Sequence, residues 1–351
     1  MMLGSESLQR YGVTLLCIGI AISALSISAD VFGRKQTGTV SVQIPDWIPM
    51  LLVAIWIIAT VTLFIAYGSI MRFASLDEIY DQRFSIQRGT ISFVGYIQTY
   101  YSAMISPALL SIGIVRRNVF LCFLGSAGAV IAYLVDAQKF ALATPFIIVA
   151  FYFLFSTMRG RLNSSALILI GLTLLVSLAV IFQGTGLGSV IGSQLVMRGL
   201  AIPGLTIAQY SDFFGTFGYT WWSNITGLGM VVPTPSAYVG DPDWPRLGEI
   251  VGRHYAGTFA YVNMNANAFS GEGLAAAGPF GVFVIAFVIA IWLRFFDQFS
   301  IGWDYKLVLL LTVPLAVSLT NVHFSTSMVS FGGGLLTILL FLGQHLALQR
   351  R

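Results

Sequence analysis

The stretch from residue 246 to residue 281, RLGEIVGRHYAGTFAYVNMNANAFSGEGLAAAGPFG, concentrates residue types that can do chemistry. Only 9% of the chain is charged, yet five ionisable groups fall between positions 246 and 272: Arg246, Glu249, Arg253, His254 and Glu272. An arginine fork can bind phosphate oxygens, and an imidazole can take up a proton near neutral pH. This pattern predicts a functional polar cluster in which the arginines can contact an anion and His254 can accept a proton.

Three asparagines alternate within the same stretch, at Asn263, Asn265 and Asn267. In an extended chain this spacing places all three on one face, whereas a helix would turn Asn265 away. Their amides can bond sugar hydroxyls or fix a turn. Glu272 precedes a helix predicted from residue 273, so it is either a helix N-terminal acceptor or a second catalytic candidate. His254 is either an ordinary loop histidine or the base.

Three other cations stand near the ends of apolar runs, at Arg83, Lys139 and Arg198. Arg83 is either part of a solvated loop with weak ion pairs or a phosphate ligand. Lys139 either extends to the interface beside Asp136 or binds phosphate. Arg198 is either paired with an internal carboxylate or bound to an anion, and the second is favoured because the nearest acid is Asp212.

Aromatic residues follow Arg198, and a Pro-rich loop follows them. The aromatic set, which includes Tyr210, is typical of an interfacial belt and could alternatively stack on sugar rings. In the loop VPTPSAYVGDPDWP, Asp241 and Asp243 are interpreted as turn residues. Short apolar pieces within the polar segment 184–272 are interpreted as interfacial or re-entrant helices.

The composition places the chain among helical membrane proteins. The chain has 351 residues, 57% of them hydrophobic, with mean hydropathy +0.85. Long continuous apolar runs predict helices rather than a barrel. The predicted spans are 12–29, 48–70, 91–114, 118–134, 140–157, 164–183, 273–293, 307–322 and 326–346. We expect 12–29 to be a retained helix, and the whole chain to form a single integral membrane domain.

Basic residues predict the orientation. Five pairs occupy short loops that the nine spans place on one side: Arg34 and Lys35, Arg116 and Arg117, Arg159 and Arg161, Arg294 and Lys306, and Arg350 and Arg351. This excess marks the cytoplasmic side. The segments 71–90, 135–139 and 184–272 then face outward. Basic residues on that side run against this rule, and a polyanionic ligand at the outer membrane face would explain them.

Several function classes lack support in the sequence. The net charge of +4 is too diffuse to indicate nucleic-acid binding. No phosphate-binding loop, HExxH motif or Cys/His cluster with metal spacing occurs, so no cofactor or metal is expected. Cys17 and Cys122 both lie in apolar runs, which predicts no disulfide. Glycine-rich pieces such as GSAGAV are interpreted as helix-packing positions.

The chain resembles the bacterial O-antigen polymerases, or oligosaccharide repeat-unit polymerases. The likeness rests on three pieces: DAQKFALATPFIIV, VMRGLAIPG with QYSDFFG, and NMNANAFSGEGLAAAGPFG. An arginine and a glycine separated by ten residues also occur, at Arg246 and Gly257. The resemblance implies an all-α, polytopic, GT-C-like bundle in the bacterial inner membrane, with a large periplasmic loop at 184–272.

The resemblance also implies an activity. The enzyme would be a metal-independent, inverting glycosyltransferase that moves the growing glycan from undecaprenyl pyrophosphate to an incoming lipid-linked repeat unit. The residues assigned are His254 and Glu272 for catalysis, Arg83, Lys139, Arg198 and Arg253 for pyrophosphate, and Asn263, Asn265 and Tyr210 for sugar. Expected partners are the lipid-linked oligosaccharide, membrane lipids and a chain-length regulator. O-antigen ligation and glycan transport without chemistry are the alternatives.

Overall fold

A computed structural model describes residues 44–74, 92–158, 202–257 and 263–349, together with residues 12, 16, 19–23, 42, 82, 173 and 177. Within these residues the protein is helical and has no β-strand, as the apolar runs predict. The predicted spans 12–29 and 164–183 lie almost entirely outside the described residues. Contacts divide the chain into two compact units, which are described separately.

The first unit comprises Met1–Arg34, Gly160–Arg294 and Leu319–Ser325, and the second comprises Lys35–Arg159, Phe295–Ser318 and Thr326–Arg351. The second unit contains helices α1 (Trp47–Tyr67), α2 (92–116), α3 (Val119–Asp136) and α4 (Lys139–Met158). Helix α2 includes a π-helical turn at Tyr101–Ile105. These helices match the predicted spans within a few residues, because charged or polar residues end each apolar run.

Short-range chemistry sets the ends of α3. The Asn118 side chain accepts a hydrogen bond from the Leu121 N–H at 3.2 Å, which caps the helix start. Ala137 adopts a left-handed conformation at the other end, and its N–H bonds the Tyr133 carbonyl. A methyl group on Gly125 or Gly128 would clash with α2, at Leu110 and Ser106. The glycines of GSAGAV therefore let α3 pack closely on α2, as predicted.

The first unit contains α5 (Ile202–Phe217) and α6 (Leu247–Ala256), joined by a loop with short 3₁₀ turns at Leu228–Met230 and Ser236–Tyr238. Its core combines the apolar faces of α5 and α6 with the start of the next helix. Of the apolar pieces predicted as interfacial or re-entrant helices, Phe214–Trp222 is helical only to Phe217, at the end of α5. Leu228–Val232 contains a single 3₁₀ turn, Leu228–Met230. Asp243 N–H bonds the Asp241 carboxylate at 2.9 Å, so this pair does shape a turn.

Helix α7 (Ala268–Ser300) is long but broken. It begins at residue 268 rather than at the predicted 273, because Asn267 caps it by accepting from the N–H groups of Phe269 and Ser270. Ala277 and Gly278 have non-helical backbone angles, with φ of 60° at Gly278. Pro279 then starts the second segment, a position that suits its fixed φ. The predicted single span at 273–293 is therefore two helical segments, 268–276 and 279–300.

The last predicted span is also divided. Helix α8 (Tyr305–Asn321) is followed by the short α9 (Phe324–Val329) and then α10 (Gly333–Gln349). Gly332 has φ of 80°, so a turn separates α9 from α10 where a continuous span at 326–346 was expected. By length and composition, α1, α3, α4 and α7 could each cross a membrane. The multi-pass character predicted from the sequence agrees with these four described helices.

Candidate functional site

A buried polar cluster forms in the first unit from three separate parts of the chain. Its members are Tyr210 on α5, Glu272 on the first segment of α7, His323 just before α9 and Ser325 in the first turn of α9. Tyr210, Glu272 and His323 are all at least nine-tenths buried. Buried polar groups are costly without partners, so their arrangement bears directly on what the site can do.

Glu272 is the carboxylate of this cluster. Its Oε1 accepts a 3.0 Å hydrogen bond from the Ser325 N–H and a second bond from the Ser325 hydroxyl. The side chain is 1% exposed, and its Oε2 has no hydrogen-bond partner among the described residues. The expected helix-start role is present, but at α9 rather than at the helix that carries Glu272. Oε1 is thus fixed by Ser325, whereas Oε2 is buried and has no partner among the described residues.

His323 packs directly against α7. A methyl group on Gly271 would overlap the imidazole of His323, so only glycine permits this contact. The Tyr210 hydroxyl lies 3.5 Å from His323 Nε2, and the two ring centroids are 6.3 Å apart. Burial lowers the pKa of His323 to about 4, so the imidazole is neutral at pH 7. Sequence reasoning did not place His323 beside Gly271, since no local pattern links the two residues.

Tyr210 lies in the interior and not on a sugar-facing surface. Its side chain has no exposed area, and its ring lies 5.5 Å from the Phe214 ring on the same helix. Burial raises the pKa of its hydroxyl above the ordinary value. In this conformation neither face of the ring can stack on a sugar, so its observed contacts are with His323 and the core.

Arg253 lies on α6 within a network of charges. Its guanidinium contacts Asp241 at 2.5 Å and Asp243 at 2.6 Å. The neighbouring Arg246 pairs with Glu249 at 2.9 Å. Two arginines thus face three carboxylates, and the positive charge of Arg253 is compensated. These aspartates, interpreted as turn residues, both shape the turn and hold Arg253.

His254, the next residue, projects to the surface. Its ring packs edge-on against Phe213 and Phe217 of α5, with centroid distances of 5.1 and 5.3 Å. His254 is exposed and makes no hydrogen bond within the described residues. Aromatic rings therefore orient the imidazole while its nitrogens stay available. Its surroundings differ from those of Glu272, so the structure does not join the two predicted catalytic residues by a direct contact.

Asn263 and Asn265 both lie against Gly248 near the start of α6. A methyl group on Gly248 would clash with the side-chain oxygens of both asparagines. The Met264 N–H between them bonds the Gly248 carbonyl at 2.9 Å, which holds this piece in an extended form. The alternation thus places Asn263 and Asn265 on one face, as predicted, and both are exposed. Asn267 instead serves as the α7 cap.

The break in α7 is stabilised by the loop that follows α5. The carbonyls of Ala275 and Ala276 accept hydrogen bonds from the N–H groups of Thr220 at 2.7 Å and Trp221 at 3.1 Å. Gly273 and Gly281 bring the two segments together, since a methyl on either would collide with the backbone of the other. Backbone groups freed by a helix break need such partners when they are covered by protein.

The other predicted phosphate ligands cannot be placed around this cluster. Arg83 and Arg198 lie outside the described residues. Lys139 is exposed at the first residue of α4, in the second unit. Among the described residues, no group of three or more His, Cys, Asp or Glu side chains could hold a metal ion.

Comparisons with protein-family models, curated proteins and solved structures found no match for this chain. The candidate site therefore rests on its own geometry.

Proposed function

We propose that this protein is a membrane-embedded, GT-C-like glycosyltransferase that polymerises lipid-linked oligosaccharide repeat units on the periplasmic side of the bacterial inner membrane. The growing glycan would move from undecaprenyl pyrophosphate to the non-reducing-end hydroxyl of an incoming lipid-linked unit. The reaction would be inverting and metal-independent. This proposal rests on the sequence resemblance and on the arrangement of the polar segment before α7.

The observation that carries the proposal is the exposed surface of α6 and the adjoining extended piece. Here His254 is exposed and makes no hydrogen bond within the described residues, and Asn263 and Asn265 are exposed beside Gly248. Amides of this kind bond sugar hydroxyls, and an oriented imidazole can accept a proton from one. A glycan acceptor can meet both kinds of group on this surface.

In the proposed reaction, the acceptor hydroxyl oxygen attacks the anomeric carbon of the donor glycan. The bond from that carbon to the phosphate oxygen breaks, and undecaprenyl pyrophosphate leaves with the electron pair. His254 takes the hydroxyl proton. Preorganised cations would stabilise the departing phosphate charge. Because Asp241 and Asp243 already compensate Arg253, Arg198 is the cation proposed for the phosphate within the first unit, and Arg83 and Lys139 stay predictions from the sequence.

Glu272 takes a positioning part in this proposal. Its Oε1 is committed to Ser325, and the side chain is buried, so an acceptor sugar would reach His254 more readily. The carboxylate would hold the start of α9 against α7 and thereby fix His323 beside Tyr210. Loss of Glu272 should then reduce protein stability together with activity, whereas loss of His254 should reduce activity alone.

The break in α7 favours a second candidate, glycan transport without chemistry. Transporters often carry their polar residues on interrupted helices, and α7 is interrupted five residues after the buried Glu272. A purified protein distinguishes the two functions. Detergent-solubilised polymerase should convert lipid-linked repeat units into a ladder of longer chains. A transporter forms no glycosidic bond and should leave the repeat units at their original length.

The cellular test uses a deletion strain of the source organism and gel analysis of its surface polysaccharide. Loss of the ladder with one repeat unit left on the lipid core supports polymerisation. Absence of all glycan from the core instead indicates ligation or transport, and an unchanged ladder refutes all three. Complementation with His254→Gln should fail to restore the ladder, whereas His345→Gln provides a matched histidine control outside the proposed site.

A further inference from the structure

The second unit contains a cavity of about 660 Å³ that the proposed reaction does not use. Three parts of the chain form its walls: the residues before α1, the end of α2 and the turn that leads into α8. Its size falls within the range of about 300–1,000 Å³ typical of small-molecule sites. The residues used below are Ile112, Val115, Arg116, Trp303 and Lys306, which all line it.

The cavity combines an apolar wall with two cations, Arg116 and Lys306, and two carboxylates, Asp46 and Asp304. Ile112 and Val115 belong to the last turns of α2, and Ile112 is buried. Arg116 and Lys306 border the same space from α2 and α8. Positive-inside patterning assigns both cations to the cytoplasmic membrane edge. A ligand with an anionic group for the two cations and an apolar part for Ile112 and Val115 would fit this cavity if the two carboxylates hold those cations only weakly.

Arg116 can exchange one of its two partners, Asp46, for such an anion, while its Nη2 also donates a hydrogen bond to the Ile44 carbonyl. Its guanidinium pairs with Asp46 at 2.9 Å, but the Asp46 side chain is 94% exposed. An ion pair with so exposed a carboxylate contributes only about 0–1 kcal/mol. A phosphate seated in the cavity could therefore compete with Asp46 for Arg116 at little cost.

Lys306 carries the second available charge. Its ammonium lies 3.3 Å from the Ser156 hydroxyl and 5.5 Å from the centre of the Tyr152 ring. No carboxylate forms an ion pair with Lys306 within the described residues. The nearby Asp304 side chain instead accepts the backbone N–H of Lys306 at 2.8 Å, so this carboxylate is engaged at the start of α8.

We propose that this cavity binds the phosphodiester headgroup of a membrane phospholipid. Arg116 and Lys306 would contact the phosphate, while Ile112 and Val115 would face the glycerol and the first acyl carbons. Trp303 lines the same cavity and suits the boundary between headgroup and acyl chain. The site is independent of glycosyl transfer, so it stands whether or not the proposed polymerase activity is found.

Native mass spectrometry of the full-length protein in detergent tests the proposal. Phosphatidylglycerol is titrated against diacylglycerol, which lacks the phosphate, and against glycerol phosphate, which lacks the acyl chains. We expect one phosphatidylglycerol to bind more tightly than further copies and more tightly than either comparison molecule. Equal binding of diacylglycerol would exclude phosphate recognition, and equal binding of glycerol phosphate would make the ligand a soluble phosphate and overturn the lipid assignment.

Two variants locate the binding event. Lys306→Gln should weaken the first phosphatidylglycerol step about tenfold, as expected for one lost hydrogen bond to a charged group. Val115→Phe should weaken it by filling the cavity without changing charge. Arg117→Gln removes a cation from the next position, outside the cavity, and should leave that step unchanged. Normal binding by both Lys306→Gln and Val115→Phe would refute the site.

Discussion

The contact between Gly271 and His323 makes a sharp stability prediction. In Gly271→Ala, the new methyl carbon would overlap His323 Cδ2 and lie 2.7 Å from Nε2, well inside van der Waals contact. The imidazole has little room to move, because it is about nine-tenths buried and faces the fully buried Tyr210. Overpacking of this kind costs about 1–3 kcal/mol. The variant should therefore unfold more easily than the wild type.

A double-mutant cycle separates this clash from a general effect of alanine. His323→Ala removes the ring and should lose stability by leaving a cavity. Gly271→Ala should then lower the free energy of unfolding much less in the His323→Ala protein than in the wild type, because the alanine methyl occupies the space that the imidazole has left. We expect a coupling energy of about 1–2 kcal/mol, well above the roughly 0.5 kcal/mol error of additivity.

The assay is thermal unfolding of the purified protein in one detergent and at one heating rate. Gly215→Ala on α5 is the matched control, since nothing in the described residues lies within 4 Å of its added methyl. That control should be neutral or stabilising, because alanine favours a helix over glycine. Strictly additive midpoints for Gly271→Ala and His323→Ala would refute the packing that defines the candidate site.

Four further predictions test other contacts. Burial lowers the pKa of His323 to about 4, and unfolded histidine titrates near ~6.5, so stability should be complete above pH ~6.5 and fall by up to roughly 1.4 kcal/mol per unit toward pH 4. His323→Gln should flatten the midpoint-against-pH curve, and an unchanged curve would contradict this. Arg253→Ala leaves Asp241 without its cation and Asp243 with only the 3.6 Å contact to Arg246, and it should lower stability by roughly 1–3 kcal/mol in thermal unfolding, partly recovered by adding Asp243→Asn. A full loss that Asp243→Asn leaves unchanged would exclude charge compensation. The methyl group added by Gly281→Ala would collide with the Gly273 backbone, so this variant should destabilise the protein far more than Gly227→Ala, whose methyl has no described atom within 4 Å. Equal melting temperatures of the two variants would refute the close approach of Gly273 and Gly281. His254→Gln should reduce polymerisation about 10²–10⁴-fold with little change in melting temperature, and full activity would remove His254 as the base.

The regular helices were largely predictable from the sequence. Long apolar runs bounded by Asn118, Asp136 and Lys139 define α3 and α4, because hydropathy and local capping are both short-range properties. The alternation of Asn263 and Asn265 likewise gave their shared face correctly. These features depend on neighbours in sequence, so spacing alone describes them.

The broken helix and the buried cluster could not be derived in the same way. The hydropathy of the sequence is continuous through Ala277 and Gly278, so it does not reveal the break in α7. For the same reason it predicts one span where α9 and α10 are separated at Gly332. The contacts of Gly271 with His323 and of Glu272 with Ser325 link residues more than 50 positions apart. Contacts between residues so far apart in the sequence cannot be predicted from residue spacing. Arg83 and Arg198 stay predictions, since they lie outside the described residues.

The break in α7 at Ala277 and Gly278 determines how much of this helix can contribute to crossing a bilayer. The first segment has nine residues, 268–276, or about 14 Å of helix, which is less than half of a hydrocarbon core of about 30 Å. The second segment, 279–300, extends about 33 Å and is long enough alone. A crossing of the bilayer by α7 therefore needs only the second segment, whereas the segment with Glu272 is held by the Thr220 and Trp221 amides and by the close approach of Gly273 and Gly281.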